Sequence, residues 1–374
     1  MLKDTYLIAY FQQTFHIFTD MNKKYVHVVG LMSGTSLDGL DLVYVQFDIE
    51  ANYQFKILCA ETLSYSNYWK EKLQFSINYD NEYLKELDNE YGSFLGHKTK
   101  EFITKNKIKD LDFIASHGHT VFHQPENGIT LQIGNGQMIA NETNIEVVCD
   151  FRTQDVELGG QGAPLVPIGD QLLFGEYDAC VNLGGFANIS YEKEDERIAF
   201  DICPVNIVLN HFSRKLGYEY DDKGALALKG KIDNDLLDYL NKLDYYKINP
   251  PKSLGLEWVK EYVYPVLNRV ESEANVLRTY TEHSAMQIAL NIQVLQKVLI
   301  TGGGVFNDFL LDRIKHYTTT KIVIPNAQII NYKEALIFAL LGVLKTQNKV
   351  NCLSSVTGAK KNHSSGIIFN PNNS

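Results

Sequence analysis

Three consecutive strand-like segments occur twice in this chain, and this repeat limits the possible folds more than any other feature. The first set occupies residues 26–31, 42–47 and 55–63, and the second occupies residues 179–185, 189–192 and 197–203. Helix-like sequence follows each set. The pattern predicts a duplicated β-β-β-α-β-α unit, and therefore an α/β fold of two lobes with a central cleft. Two unrelated mixed domains are the simpler alternative.

The turn between the first two strands has the sequence GTSLDG and consists mainly of small or polar residues. Their amides and hydroxyls can approach an anion closely, and Asp38 supplies a carboxylate able to hold a metal ion. The lysine and the following helix of a Walker phosphate loop are absent from the sequence. Because polar turns commonly close hairpins between apolar strands, the motif alone leaves an ordinary turn open.

Composition and charge disfavour some classes of partner. The 374 residues are 45% hydrophobic and 21% charged, as expected for two globular domains, and the net charge is −10. Because the sequence has no basic run of five or more, nucleic acid is disfavoured as a partner. The five cysteines lack CxxC spacing, which favours packed thiols in a cytoplasmic protein over a disulfide framework or a zinc site.

The two ends of the chain carry little structural signal. Residues 1–20 are interrupted by polar side chains and lack a long apolar segment, which argues against a signal peptide or a membrane span. We interpret them as an N-terminal extension before a domain that begins at Met21. The expected limits are 21–152 with 331–374 for lobe I, and 153–330 for lobe II. The polar C-terminal segment 360–374 is expected to be loosely held.

Two polar segments follow predicted strands of the first half. SHGHTVFHQP, residues 116–125, places three histidines at an edge where open α/β sheets bind ligands. Its spacing does not match a zinc motif, so hydrogen bonding to a polar ligand is favoured. The glycine-rich loop at 150–164 is either a linker or a ligand-facing loop, and its polar side chains favour the second interpretation. These side chains are Asp150, Arg152, Asp155 and Gln161.

The second half contains a candidate base and a candidate phosphate loop. Asp201 lies near the end of an apolar strand and is placed for general-base chemistry, although local sequence slightly favours an N-cap for a helix beginning near Val205. Three glycines, Gly302, Gly303 and Gly304, connect a buried strand to a helix. This arrangement lets a phosphate contact the backbone at a helix N-terminus.

Eight segments of the chain, from about Val26 to about Gly358, resemble the anhydro-N-acetylmuramic acid kinases in sequence and in order. They are GLMSGTSLDGLD, SHGHTVFHQP, LQIGNG, DFRTQDVELGGQGAPLVP, NLGGFANIS, FDICPVN, PPKSLG and TGGGVFN. The resemblance implies the two-lobed actin-like ATPase (ribonuclease H-like) fold. It also implies the reaction, in which ATP and water convert 1,6-anhydro-N-acetylmuramic acid into N-acetylmuramic acid 6-phosphate and ADP during bacterial cell-wall recycling.

The resemblance also implies roles for individual residues. ATP would be held by Gly34, Thr35, Ser36, Asp38 and Gly39 of the first hairpin, with Mg²⁺ at Asp38, and by Gly185, Gly302, Gly303 and Gly304 of the second half. The sugar would be bound by Thr120, Gln161 and Glu334. Asp201 would be the catalytic base that takes a proton from the attacking water. The family also suggests a homodimer, and no membrane partner is implied.

The sequence departs from the family pattern near the expected sugar site. FDICPVN has Cys203 and Val205 where the family has glycines, SLGLEW replaces the usual STGRE, and Gln154 stands where an arginine is common. Because lost glycines restrict the backbone, the substrate preference is open. Two competing interpretations are an ordinary sugar kinase, in which Asp201 deprotonates a substrate hydroxyl, and a non-catalytic actin-like nucleotide-binding protein.

Overall fold

The computed structural model describes residues 23–34 and 37–372. The expected extension at residues 1–20, the expected start at Met21, and the hairpin residues Thr35 and Ser36 lie outside this range. The chain divides into two compact units. Unit 1 runs to Gly162 and also contains Glu334–Cys352 and the chain from Ala359 onward, whereas unit 2 contains Ala163–Lys333 and Leu353–Gly358.

The strands of the described residues, in chain order, are β1 Tyr25–Ser33, β2 Leu40–Asp48, β3 Gln54–Leu63, β4 Phe113–Gln124, β5 Ile129–Ile133, β6 Val147–Cys149, β7 Ala179–Leu183, β8 Phe186–Lys193, β9 Glu196–Pro204, β10 Lys297–Thr301, β11 Lys321–Val323 and β12 Ile367–Phe369.

The α-helices of the same residues are α1 Asn67–Phe75, α2 Asn81–Lys105, α3 Gly136–Thr143, α4 Thr153–Glu157, α5 Val166–Leu173, α6 Asn206–Lys215, α7 Asn234–Asn241, α8 Leu256–Trp258, α9 Tyr264–Leu267, α10 Glu273–Ile292, α11 Asp308–Tyr317, α12 Ala327–Thr346 and α13 Ser354–Thr357. A π-helical turn, Val259–Val263, joins α8 to α9, and 3₁₀ turns lie at Ser76–Asn78, Pro125–Asn127, Asp222–Gly224, Ala227–Lys229, Asp244–Lys247 and Gly303–Phe306.

The sheet of unit 1 has the strand order β12-β6-β4-β1-β2-β3, and β5 pairs with β4. The first three strands are antiparallel neighbours, with Val28 opposite Val45 in the β1–β2 pair. On its other side β1 is parallel to β4, which is parallel to β6. β-Branched and aromatic residues fill the buried positions of β1 and β2, as expected for strands covered on both faces.

The sheet of unit 2 repeats this arrangement with the strand order β11-β10-β7-β8-β9. Strands β7, β8 and β9 form the antiparallel meander, and β10 and β11 extend the sheet in parallel from β7. In both units the sheet therefore continues from the first strand of the meander into two parallel strands, which are β4 and β6 in unit 1 and β10 and β11 in unit 2. The predicted duplication of a β-β-β unit followed by parallel strands is confirmed.

Each unit has its own apolar core. In unit 1, α2 buries Leu84, Leu87 and Leu95 among the side chains of β1, β2 and β4. On the opposite face of the sheet, α12 approaches so closely that a Cβ at Gly30 would lie 2.3 Å from the carbonyl oxygen of Ala335. Glycine is therefore required at that point of β1, because a side chain would separate the helix from the sheet.

In unit 2 the core surrounds α10, whose N-terminus is capped by Ser272. Most residues of this helix are buried on all sides, from Val276 to Ile292, which explains why the segment has no clear polar face. Of the helices in the described part of the chain, α12 alone is long and apolar enough to cross a membrane by length and composition, yet 67% of its most apolar window is buried inside the protein. A core helix has the same properties.

Three local expectations are corrected by the structure. The gap between the expected strands 179–185 and 189–192 predicts a turn at residues 186–188, but the turn is Gly184–Gly185 and Phe186 already belongs to the returning strand. The histidine segment does not follow β4, because the strand continues to Gln124 and pairs with β5 as a hairpin. The C-terminal segment is not loosely held: Ile367–Phe369 forms β12, which is antiparallel to β6 and extends the sheet of unit 1.

Candidate active site

The described residues of the turn between β1 and β2 include one backbone hydrogen bond and one closely packed glycine. Leu37 donates its N–H to the carbonyl of Gly34 at 3.3 Å and has a positive φ of 60°. Gly39 is buried, and a Cβ there would lie 2.6 Å from the carbonyl oxygen of Leu63. Asp38, in contrast, is exposed. Gly39 is therefore needed for packing, while Asp38 presents its carboxylate to solvent where a ligand or a metal ion can reach it.

The base of this hairpin rests on a buried hydroxyl network. Ser33, the last residue of β1, lies 3.0 Å from Nδ1 of His119 and accepts a hydrogen bond from the Tyr65 hydroxyl at 2.7 Å. The Tyr65 and Tyr91 hydroxyls are also 2.7 Å apart. Burial lowers the pKa of His119 to about 4, so the ring is neutral at physiological pH. A neutral network of this kind fixes the position of Ser33 without adding charge beside the hairpin.

Arg152 is held by a second histidine of the same segment. Its Nε and Nη2 lie 3.0 and 2.9 Å from Nε2 of His117, and its Nη1 donates to the carbonyl of Gly162 at 2.6 Å. Nδ1 of His117 lies 2.9 Å from the carbonyl oxygen of Gly118, which can only accept, so Nδ1 carries the hydrogen and Nε2 faces Arg152 as an acceptor. Burial and the adjacent guanidinium hold the pKa of His117 well below its ordinary value.

These contacts change the interpretation of the histidine segment. We expected its histidines to bind a polar ligand, but His117 and His119 each use a ring nitrogen on a protein group. Burial lowers the pKa of Arg152 to about 10, and Glu334 acts in the opposite direction. The arginine is therefore a half-buried cation near the exposed Glu334, a pairing that sequence spacing did not indicate.

The three expected sugar-binding residues lie in different elements of unit 1. Gln161 is exposed and precedes Gly162, whose carbonyl is bound by Arg152. Glu334, on α12, is exposed and close enough to influence the pKa of Arg152. Thr120 is half-buried on β4, opposite Gln132 of β5. Arg152 therefore binds the residue that follows Gln161 and is close enough to Glu334 for their charges to interact.

Two of the acidic residues expected to face a ligand have structural roles instead. Asp150 accepts hydrogen bonds from the hydroxyl and the N–H of Thr153 at the start of α4. Asp155 is fully buried, and its Oδ2 accepts the N–H of Gly162 at 2.7 Å. Short-range side-chain bonds to turns are common uses of aspartate, and at both positions such a bond occupies one carboxylate oxygen.

Asp201 lies within β9 and does not cap a helix. The helix after β9, α6, has Val205 at its N-cap position without a side-chain hydrogen bond, so the N-cap interpretation is wrong. Instead, Oδ2 of Asp201 accepts the N–H of Leu254 at 2.8 Å. Burial raises the pKa of the carboxyl group, and the Leu254 hydrogen bond opposes this effect. Raising the pKa strengthens the conjugate base, which suits a residue that accepts a proton.

The departures from the family pattern around Asp201 do not fall at positions of positive φ. Val205 has a φ of −130° and a ψ of −92°, and the φ of Cys203 is not positive. Neither position therefore adopts the left-handed conformation that favours glycine. The segment SLGLEW contributes the Leu254 amide that orients the Asp201 carboxylate. The sequence did not indicate this contact, because a backbone donor does not depend on residue type.

The glycines of unit 2 converge on the start of α6. The carbonyl of Gly185 accepts the N–H of Val205 at 2.8 Å, and Asn206 donates from its side chain to the carbonyl of Leu183 at 3.2 Å. Gly304 packs on the same turn, since a Cβ there would lie 2.7 Å from the Cβ of Leu183. Gly185 has no comparable crowding, because its nearest neighbour would be 3.8 Å away.

A pocket of about 650 Å³ opens beside these glycines within unit 2. Its walls include Gly303, Gly304, Asn206, Asn210, Tyr220, Asp222, Lys223 and Phe306. Tyr220 and Phe306 are 57% and 53% exposed, so these aromatic residues are accessible to a ligand. Gly303 and Gly304 begin a 3₁₀ turn, and α11 begins only at Asp308 with Asn307 as its cap, so the prediction that the glycines lie at the N-terminus of an α-helix is wrong.

Comparison with known proteins relates most of the chain to one family. The family model for anhydro-N-acetylmuramic acid kinase matches residues 26–371. A curated anhydro-N-acetylmuramic acid kinase of Bacillus cereus (strain Q1) is 33% identical over 92% of this chain and 100% of its own length. One of Bacillus thuringiensis subsp. konkukian (strain 97-27) is 32% identical with the same coverage.

Among solved structures, component A of the (R)-2-hydroxyglutaryl-CoA dehydratase of Acidaminococcus fermentans is similar with a TM-score of 0.45 and 12% identity, covering 86% of this chain and 99% of that one. The family model matches nearly the whole described chain, and the relatives are matched along their full length. The chain therefore belongs to the anhydro-N-acetylmuramic acid kinase family.

Proposed function

We propose that this protein is an ATP-dependent kinase that opens 1,6-anhydro-N-acetylmuramic acid with water and phosphorylates it to N-acetylmuramic acid 6-phosphate, in bacterial cell-wall recycling. The observation that carries the proposal is the environment of Asp201. Its carboxylate is oriented by one backbone amide, has a pKa raised by burial, and serves no helix as a cap. These are the properties of a positioned general base.

In the proposed reaction, Asp201 takes a proton from the water whose oxygen bonds to the anomeric carbon. The bond between that carbon and O6 breaks, and O6 forms a bond to the γ-phosphorus of ATP as ADP leaves. One base therefore serves both bond changes, and the proton released from water remains on Asp201 until solvent removes it. We assign contacts with the sugar to Thr120, Gln161 and Glu334.

The proposed nucleoside site is the pocket of unit 2. An adenine ring stacks favourably on aromatic side chains, and Tyr220 and Phe306 are exposed there. Gly303 and Gly304 line the same pocket and let phosphate oxygens approach the backbone. We propose that Gly185 and Gly302 support the surface of this pocket. We also propose that the first hairpin contacts the phosphates through Gly34, Thr35, Ser36 and Gly39.

The hairpin of unit 1 fits a magnesium ion held together with phosphate. Mg²⁺ prefers oxygen ligands, retains several waters, and is usually bound by one or two carboxylates plus substrate phosphates. Asp38 is exposed, and its charge is near enough to raise the pKa of the half-buried Asp41 carboxyl, although burial is the larger cause of that shift. We propose that Asp38 holds Mg²⁺, which would neutralise phosphate charge.

We also place the reaction in the cytoplasm, where the five free thiols would stay reduced, and propose a homodimer.

The source of the anomeric oxygen tests the proposed reaction. The purified protein is incubated with ATP, Mg²⁺ and 1,6-anhydro-N-acetylmuramic acid in heavy-oxygen water, and the phosphorylated product is analysed by mass spectrometry after a short reaction. We expect one heavy oxygen per product, and fragmentation should place it at the anomeric carbon.

One control and two alternative outcomes complete this test. Unlabelled N-acetylmuramic acid 6-phosphate incubated in the same water corrects for exchange at the anomeric carbon. Phosphorylated product without label above that correction would mean that water takes no part, as in an ordinary sugar kinase. ATP binding without any product would instead support a non-catalytic nucleotide-binding protein.

Replacing Asp38 by alanine should reduce the rate more than nucleotide binding. A missing magnesium ligand leaves phosphate charge unneutralised mainly in the transition state, so we expect kcat to fall by about 10²-fold at saturating ATP. Steady-state assays over a range of Mg²⁺ concentrations, with ADP affinity from calorimetry, check this. Asp238→Ala, at an exposed position of α7, is the matched control. An equal loss of ADP affinity and rate would assign Asp38 to the structure of the hairpin.

A further inference from the structure

Asp155, Cys352 and His363 form a buried cluster in unit 1 that the proposed reaction does not use. They are 0%, 1% and 6% exposed. Three atoms lie within 4.8 Å of one another: a carboxylate oxygen of Asp155, the sulfur of Cys352 and a ring nitrogen of His363. We call these three residues the Asp–Cys–His cluster.

The backbone around the cluster is fixed on both sides. Cys352 and His363 face each other across an antiparallel bridge, with N–H to carbonyl distances of 3.1 and 3.2 Å. Asp155 lies on α4, and a Cβ at Gly160 would come within 2.2 Å of its Oδ2. The second oxygen of Asp155 is already bound by the N–H of Gly162. The cluster is therefore preorganised, because two of its members share one bridge and the third is held by its own loop.

The histidine presents a free lone pair to this cluster. Nδ1 of His363 lies 3.1 Å from the carbonyl oxygen of Lys361, so Nδ1 carries the hydrogen. Nε2 then faces Oδ1 of Asp155 at 3.6 Å and makes no hydrogen bond with any described residue. If the ring is neutral, a lone pair of Nε2 faces a lone pair of the Asp155 oxygen. If Nε2 is protonated, the distance of 3.6 Å to that oxygen is too long for a hydrogen bond. Neither state satisfies the buried nitrogen, whereas a bound cation would.

The distances suit a small metal ion. Sγ of Cys352 is 3.0 Å from Oδ1 of Asp155, and Nε2 of His363 is 3.6 Å from the same oxygen. With zinc bonds of about 2.0–2.3 Å, tetrahedral geometry places neighbouring ligand atoms about 3.3–3.6 Å apart. Shifts of about half an ångström would therefore bring these two pairs into range. A histidine whose other nitrogen donates to a backbone carbonyl is also the usual form of a zinc ligand.

We propose that Asp155, Cys352 and His363 bind one Zn²⁺ ion. The combination of thiolate, imidazole and carboxylate selects zinc over magnesium or calcium, which prefer oxygen ligands alone. On binding, the thiol of Cys352 releases its proton to solvent, and a water molecule fills the fourth position. The ion would link the loop that carries Gln161 to the C-terminal segment of the chain. CxxC spacing is not involved, which is why the sequence argued against a zinc site.

Cobalt spectroscopy tests the proposal on the intact protein. The untagged chain is stripped of metal with a chelator under reducing conditions and titrated with Co²⁺, which takes the place of Zn²⁺. We expect one Co²⁺ per chain, a thiolate-to-cobalt charge-transfer band, and intense visible bands of tetrahedral cobalt, all displaced by one equivalent of Zn²⁺. The melting temperature should rise by at least about 2 °C with saturating Zn²⁺.

Variants assign the bands to the cluster. Cys352→Ser should lose the charge-transfer band, and His363→Gln should weaken Co²⁺ binding by at least about tenfold. The matched controls Cys59→Ser and His97→Gln, at a half-buried and an exposed position, should behave like the unaltered chain. Absence of the charge-transfer band in the unaltered, folded protein overturns the proposal whatever the variants do. Persistence of the band in folded Cys352→Ser does so as well.

Discussion

Asp201→Asn is expected to lose nearly all turnover while the protein stays folded and binds ATP. Removal of a general base lowers the rate by about 10²–10⁴-fold. The amide oxygen of asparagine can still accept the N–H of Leu254, so the contact that orients the side chain survives. The loss of rate would then report the missing base and not a displaced loop. Steady-state kinetics and calorimetric titration with ADP measure the two properties separately.

The same variant should not be less stable than the unaltered protein. The folded-state pKa of Asp201 is raised above 3.8, so the carboxyl binds its proton more tightly in the folded state than in the unfolded state. Ionised Asp201 therefore costs stability at pH values above its folded pKa, and this cost disappears below the unfolded pKa. Asparagine removes the cost, and we expect an unchanged or higher melting temperature at pH 7. A folded, stable variant with near-normal turnover would remove Asp201 from the mechanism.

The acid side of the pH–rate profile follows from the same shift. Because the base must be ionised, kcat/KM should fall as pH decreases through the pKa of Asp201 in the free enzyme, with a midpoint above 3.8. Residual activity of Asp201→Asn should lack this limb. A variant that keeps the same acid limb would show that another group controls it.

Strand pairing was predictable because it depends on residue patterns that repeat. Alternation in residues 42–47 and the apolar runs at 26–31 and 298–301 identified β2, β1 and β10 within a few residues. The turn between β7 and β8 was misplaced because Phe186 was assigned to it, although Gly184 and Gly185 supply the turn. Local composition was ambiguous there, and pairing with β9 decided the register.

The candidate site was predictable where it depends on residue type and unpredictable where it depends on backbone or distant partners. The resemblance identified Asp201, but local sequence favoured an N-cap because it cannot show that β9 continues to Pro204. The contact between Arg152 and His117 joins residues 35 positions apart. Cys352 and Asp155 are 197 positions apart. Only the folded chain brings such pairs together, so spacing rules did not detect them.

Neighbouring glycines in the GGG run should respond in opposite ways to the same substitution. Gly302 has a φ of 87° and a ψ of 165°, a backbone region that is nearly exclusive to glycine. A Cβ at this position would also lie 2.4 Å from Oδ1 of Asn182 and 2.8 Å from the carbonyl oxygen of Leu183. Backbone strain and overpacking each cost about 1–3 kcal/mol, so Gly302→Ala should destabilise the protein by about 2–6 kcal/mol. Urea unfolding with and without ADP measures this loss.

Gly303→Ala is the matched test of the pocket itself. A Cβ at Gly303 would meet no described atom within 4 Å, and its φ is not positive, so the free energy of unfolding should change by less than about 0.5 kcal/mol. Because Gly303 lines the pocket of unit 2, the new methyl group would occupy space proposed for the nucleotide. We expect the Kd for ADP to rise by about tenfold, or 1.4 kcal/mol. Unchanged ADP affinity in this stable variant would mean that the nucleotide does not contact Gly303, and the assignment of the pocket to ATP would fail even if Gly302→Ala unfolds as expected.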